Sequence, residues 1–168
     1  MSVIFSLGML ASAYADTTVF GMTLGKSTLD DFKKEYPLAV KKEVFGLTDE
    51  VIYSVPINEI NFDGLKSEHV IFNQGNKLTA IILKIDKRRF DEIHALLSKK
   101  YKVSKKDVPF VGDRFVKYKS GEDVIGLNSP HLSFEMTLVY AERKFMDVFH
   151  QREIEENRKK DADEFEKL

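Results

Sequence analysis

The sequence predicts an α+β fold: two tandem αβ4 units forming one antiparallel sheet with helices on one face, plus a C-terminal helix. Three observations carry this. The hydrophobic pattern reads as helix, about four strands, helix, about four strands, helix. Residues 132–140 alternate without a break, with Leu132, Phe134, Met136, Leu138 and Tyr140 on one side and Ser133, Glu135 and Thr137 on the other. Two short strings echo each other at nearly one offset. Phe32-Lys33-Lys34-Glu35-Tyr36 resembles Leu97-Ser98-Lys99-Lys100-Tyr101, and Lys41-Lys42-Glu43-Val44 matches Lys105-Lys106-Asp107-Val108.

Taken in order, the chain opens on an apolar run, Ser2 to Leu10, followed by Ala13-Tyr14-Ala15 and the first charge, Asp16. That pattern predicts a secretory signal peptide over residues 1–15, although no Lys or Arg precedes the run. The run is too short to span a bilayer. The exported chain would begin at Asp16, in a bacterial periplasm or outside the cell. Residues 17–26 form a lead-in. Ser27 or Thr28 caps a helix with Asp30 and Asp31 in its first turn, and Leu29, Phe32 and Tyr36 make its apolar stripe. Pro37 ends it.

Strand candidates follow at Val40 to Phe45, Val51 to Val55, His69 to Phe72 and Leu78 to Ile85. The last two flank Asn73-Gln74-Gly75-Asn76, a hairpin turn in which Gly and Asn supply left-handed positions. Asp86 caps a second helix with Phe90, Ile93, Leu97 and Tyr101 inward. Strands are then predicted at Arg114 to Tyr118, Asp123 to Leu127 and Leu132 to Tyr140, with Val103 to Val108 as a further candidate. A third helix starts near Glu142 with Phe145, Val148 and Phe149 inward. Residues 16–150 thus form a single domain, with an internal repeat over 27–85 and 86–141. Residues 151–168 carry twelve charges in eighteen positions and read as a helical extension or tail.

Some of these strings resemble a known group. They are Phe20-Gly21-Met22-Thr23-Leu24-Gly25, then Ser27-Thr28 with Phe32 and the Tyr36-Pro37 stop. Phe72 to Ile81 follows, with Gly75, Lys77 and Leu78 at fixed places, and then Lys99-Lys100-Tyr101. Over residues 18–141 the chain resembles small exported bacterial proteins of the β-lactamase-inhibitor-protein-like and SmpA/OmlA-like group. The resemblance implies a non-enzymatic protein that presents a sheet face or loops to another protein, as an inhibitor or envelope assembly factor. The chain has no Cys, so it lacks both the disulfides of the inhibitors and the lipid-bearing Cys of the envelope factors. Neither activity transfers.

Composition excludes several chemistries. The 168 residues are 43% apolar and 32% charged, and 26 basic side chains balance 27 acidic ones to a net −1. That leaves no global field for nucleic acid. Without Cys there is no thiolate metal site and no Cys nucleophile. Gly21 to Ser27 looks like a phosphate loop, but three residues separate its glycines where four are needed. His69, His94, His131 and His150 form no H-x-H or H-x-x-x-H pair, and no G-x-S-x-G is present. His94 borders a helix stripe and reads as a core-edge histidine. The sequence thus indicates no catalytic residue, no metal ligand and no cofactor.

Two surfaces remain as binding candidates. One is the less apolar sheet face with Ser133, Glu135 and Thr137. The other is a basic surface with Lys87, Arg88, Lys99, Lys105 and Lys106, since residues 84–106 hold nine basic and three acidic side chains. The expected function is an exported, non-catalytic binding protein, inhibitor-like or an envelope accessory. Its partner would be a protein or a cell-envelope component. The alternative is a periplasmic hydrolase or metal-binding protein assembled from dispersed His and acidic residues. If residues 151–168 are a tail, their removal leaves the thermal melt unchanged. A fall of many degrees would refute that reading.

Overall fold

A hairpin, a helix and four strands are followed by a second helix and four more strands. The computed structural model describes residues 16–42 and 50–151. The opening hairpin pairs β1 (Thr18–Val19) with β2 (Met22–Thr23). Helix α1 (Leu29–Glu35) leads into β3 (Val40–Lys42), β4 (Val51–Ser54), β5 (Leu65–Phe72) and β6 (Leu78–Asp86). Helix α2 (Phe90–Lys100) leads into β7 (Lys102–Asp107), β8 (Arg114–Ser120), β9 (Asp123–Ser129) and β10 (Glu135–Glu142). A third helix, α3, starts at 143 and continues to the last described residue, 151.

All eight long-sheet strands are antiparallel, in the order β3-β4-β5-β6-β10-β9-β8-β7. Each αβ4 unit is a helix followed by a meander. The units join by their last strands, β6 against β10, and their first strands form the two edges. The matching strings noted above fall at corresponding places. The backbone N–H groups of Tyr36 and Tyr101 each close the end of their helix at 2.8 Å, on the carbonyls of Phe32 and Leu97. Lys41 and Lys105 each sit on the edge strand that follows.

Local chemistry explains the helix starts. Thr28 and Asp31 form a reciprocal capping box at α1: Asp31 N–H donates to Thr28 Oγ1, and Thr28 N–H donates to Asp31 Oδ2. The Asp86 carboxylate accepts from Arg88 N–H and opens a 3-10 turn, Lys87–Arg89, that runs into α2. The glycine string is also a turn device. Phe20 and Gly21 both have positive φ, 49° and 77°, as a tight hairpin of this hand requires. Gly25 has φ 70°, and a side chain there would meet Glu142 Oε1 at 2.8 Å.

Several expectations are corrected. The turn before β6 takes its left-handed residue from Asn76, at φ 56°, and not from Gly75. Strand β10 starts at Glu135 rather than Leu132. Its register puts Glu135 opposite Asp86, the last residue of β6, so residues 132–134 have no strand to pair with. Leu132 and Phe134 are therefore not core residues but lie in an exposed loop. In α3, Phe145 and Met146 pack against the sheet, whereas Val148 and Phe149 are about half exposed and do not join that cluster. The expected third strand starts at Leu65, four residues before His69, because Gly64 turns the chain there at φ 72°. The proposed signal peptide, residues 43–45 of the first strand candidate, and residues 152–168 of the extension lie outside the described residues.

The core lies between the sheet and helices α1 and α2. Phe32 of α1 packs on Phe72 and Tyr53, with ring centroids 5.2 and 5.5 Å apart. Phe90, Ile93 and Leu97 of α2 join the same cluster with Val116, Tyr118 and Leu127. An acidic side chain enters this layer. Glu68, on β5 opposite Leu83, points into the core face at 2% exposure, and its Oε2 has no partner among the described residues. Burial pushes its carboxyl up to about 7. The folded state thus favours the neutral acid. The stability this permits is full below the unfolded value near 4.5 and is lost as pH rises through about 7, by on the order of 3 kcal/mol. Glu68→Gln should melt close to the parent at pH 4.5 and well above it at pH 8. Calorimetry at both pH values checks this.

Candidate functional site: the open half of the sheet

Strand alternation puts one set of side chains under α1 and α2 and the other set on the opposite face. That opposite face has two unlike halves. Over β4, β5, β6 and β10 it has an apolar patch, Ile52, Ile71, Ala80, Ile82, Val139 and Ala141 packed against Phe145 and Met146 of α3, with His69, Lys84 and Thr137 on the same face. Helix α3 begins directly after β10, so it folds back over the strands at its root. Over β7, β8 and β9 the face carries Lys102, Lys105, Lys117 and Lys119, with Asp107 and Phe115 toward the loop end and Val124, Gly126 and Asn128 along β9.

The four lysines form two directly opposed pairs, Lys102 with Lys119 and Lys105 with Lys117. Like charges at such places repel, because opposed side chains in a ladder start about 5 Å apart. No ion pair relieves these lysines among the described residues. Lysines on an edge strand also deter edge pairing, which accounts for β7. It does not account for Lys117 and Lys119, because β8 is an interior strand. Gly126 lies beside Lys117 and has no atom within 4 Å of where a side chain would project, so the floor there is flat and open.

Two loops lie at one end of this half. The β7–β8 loop carries Phe110 and Val111, and the β9–β10 loop carries Leu132 and Phe134. Phe110, Leu132 and Phe134 are 104%, 96% and 94% exposed. These loops are tethered. Lys87 Nζ donates to the carbonyls of Pro130 and His131 at 2.6 and 2.7 Å. Lys87 N–H donates to the Phe134 carbonyl at 3.0 Å. Asp113 of the β7–β8 loop accepts from His131 N–H at 2.6 Å, which ties the two loops together.

The expected site residues divide accordingly. Thr137 lies on the face, where its hydroxyl accepts from Lys84 Nζ at 2.7 Å. Glu135 is exposed at the start of β10. Ser133 is not on the sheet: it sits in the loop, where its Oγ accepts from Glu135 N–H. The expected basic surface is not one surface. Lys87 holds the loop carbonyls, and Arg88 is bound to Asp86. Lys99 is exposed on α2, Lys105 faces the open half, and Lys106 points to the helix side opposite Val116. Arg89 and Arg114 are also tied internally, to Glu92 and Asp91, and each lies over a ring, of Phe62 and Phe90. Sequence reasoning missed Lys117 and Lys119, although their alternation with Val116 and Tyr118 was the available signal.

The chemistry of catalysis finds no such gathering. Among the described residues no three His, Asp or Glu side chains come together as a metal site would require. His94 is a core-edge residue whose Nδ1 is 2.6 Å from Tyr118 Oη and 3.3 Å from Ser98 Oγ. Burial, with Lys106 close by, holds it below the usual histidine range.

If the lysine pairs repel, Lys117→Glu should stabilise the fold at low ionic strength, by about 0.5 kcal/mol. The gain should shrink as salt is raised. Urea melts at low and high salt check both parts. No helix among the described residues is long and apolar enough to cross a membrane. Comparison with protein-family models, curated proteins and solved structures found no match to this chain.

Proposed function

We propose that this chain is an exported binding protein without catalysis of its own, and that it meets its partner on the open half of the sheet. The observation that carries this reading is the pair of opposed lysine pairs on β7 and β8, which satisfy nothing within the described fold. A surface that keeps unrelieved like charge on an interior strand is suited to an anionic partner. The apolar run ending in Ala13-Tyr14-Ala15 supports export, and the resemblance over residues 18–141 supports a binding role on a sheet face or its loops. Thr137 and Glu135 border this half and belong to the proposed surface. The partner is a protein or a component of the cell envelope. The alternative, a hydrolase or metal-binding protein, has no gathering of His and acidic side chains among the described residues to rest on.

The test is a pull-down from an envelope extract with the chain from Asp16 onward as bait. Saturable capture that is lost in Lys117→Glu/Lys119→Glu and kept in Lys99→Glu, on the helix side, is the expected result. Capture indifferent to the lysines, or none at all, would overturn the reading.

A further inference from the structure

We infer that the partner of the open half is the anionic surface of a phospholipid bilayer. In this arrangement Phe110, Leu132 and Phe134 enter the headgroup region and the four lysines lie against lipid phosphates. The inference rests on the binding role proposed above and names the chemistry of what is bound.

The first argument is the apolar tips. Single exposed apolar residues are ordinary on a soluble protein. Here three large ones at 94% exposure or more, with Val111 beside them, stand on two adjacent loops. Both loops leave the sheet at the same end, because β7 to β8 and β9 to β10 are parallel hairpins of one meander. The bonds from Lys87 and Asp113 hold the second loop in place, so its tips are presented rather than folded back.

The second argument is charge, and it is independent of the first. The cations nearest the loops, Lys87, Arg88 and Arg114, are tied to carbonyls or carboxylates, but the lysines on the face are not. Lys117 lies three residues into β8, so it is within about 10 Å of the loop end. That is about one Debye length at moderate salt. With the tips inserted, Lys105 and Lys117 are the lysines nearest the phosphate plane, and Lys102 and Lys119 follow further along the strands. Apolar insertion combined with basic side chains is the two-part attachment that holds peripheral proteins on acidic membranes.

A protein partner fits less well. A stable protein interface needs a large side chain seated in a dry central pocket. This face has no side chain at Gly126 and only a half-buried Phe115 among large apolar groups, while the fully exposed apolar groups lie at one end on loops. All four cations are Lys, flexible point charges that suit a mobile array of phosphates. Arg, the residue that makes bidentate interface pairs, is absent from the patch.

Vesicle flotation tests this with the chain from Asp16 onward, which carries every described element and omits the apolar run that would itself enter lipid. The expected result is flotation with phosphatidylcholine vesicles containing about 30% phosphatidylglycerol, and little with phosphatidylcholine alone. Binding should weaken at least about tenfold in Phe110→Ser/Leu132→Ser/Phe134→Ser and also in Lys117→Glu/Lys119→Glu. Both sets alter exposed or half-exposed side chains, and a melt no lower than the parent's confirms that each variant folds. No flotation on the acidic vesicles, or flotation that either variant leaves unchanged, overturns the inference. If vesicles fail but lysine-dependent capture from the envelope extract persists, the bilayer is wrong and the binding reading stands. If both fail, both fall.

Discussion

The pairing of β6 with β10 is the interaction on which the rest depends. Seven residue pairs run from Glu135 against Asp86 to Ala141 against Ala80, in unbroken register. This seam unites two four-stranded meanders, each too small to bury a full core alone, into one sheet broad enough to carry two helices. It also sets the loop end. Where β6 stops at Asp86, β10 can begin, and residues 130–134 are left to form the tethered loop. The 3-10 turn after β6 puts Lys87 within reach of that loop, so the seam and the loop are held by one short segment.

Much of the fold was legible because most strands alternate and the helices carry clear stripes. Thr28, Asp86, Tyr36 and Tyr101 mark element ends by chemistry that acts within a few residues, so they could be read locally. The start of β10 could not. Leu132 and Phe134 continue the alternation perfectly, and only the length of a strand fifty residues earlier decides that they lie outside the sheet. Glu68 was hidden for a related reason. Its burial follows from a register in which it faces Leu83, and nothing local marks an acid that will face a core. The covering of one half of the open face by α3 is likewise a tertiary choice. Phe145 packs inward as its spacing suggests, but Met146 is its partner where Val148 and Phe149 were expected.

The candidate surface was legible only in part. A window count over residues 84–106 finds an excess of positive charge, but folding distributes it among a 3-10 turn, both faces of a strand and the outside of a helix. The patch that emerges keeps Lys102 and Lys105 from that window and recruits Lys117 and Lys119 from beyond it. Net charge near zero therefore conceals a segregated surface, since among the described residues ion pairs hold Arg88, Arg89, Arg114 and Arg143 while these lysines stay unrelieved. Segregation of this kind is created by cross-strand register, which one-dimensional counting does not register.

The position of α3 has a further consequence. Two like units joined at their last strands approximate a two-fold platform, and such a platform offers two equivalent seats on its outer face. The helix that follows the first unit, α2, packs on the core face, whereas α3 after the second unit lies on the outer face, over the seam and the neighbouring unit's strands. The near-symmetry of the sheet is thereby broken by a single helix. What remains is one open half with one orientation relative to the seam.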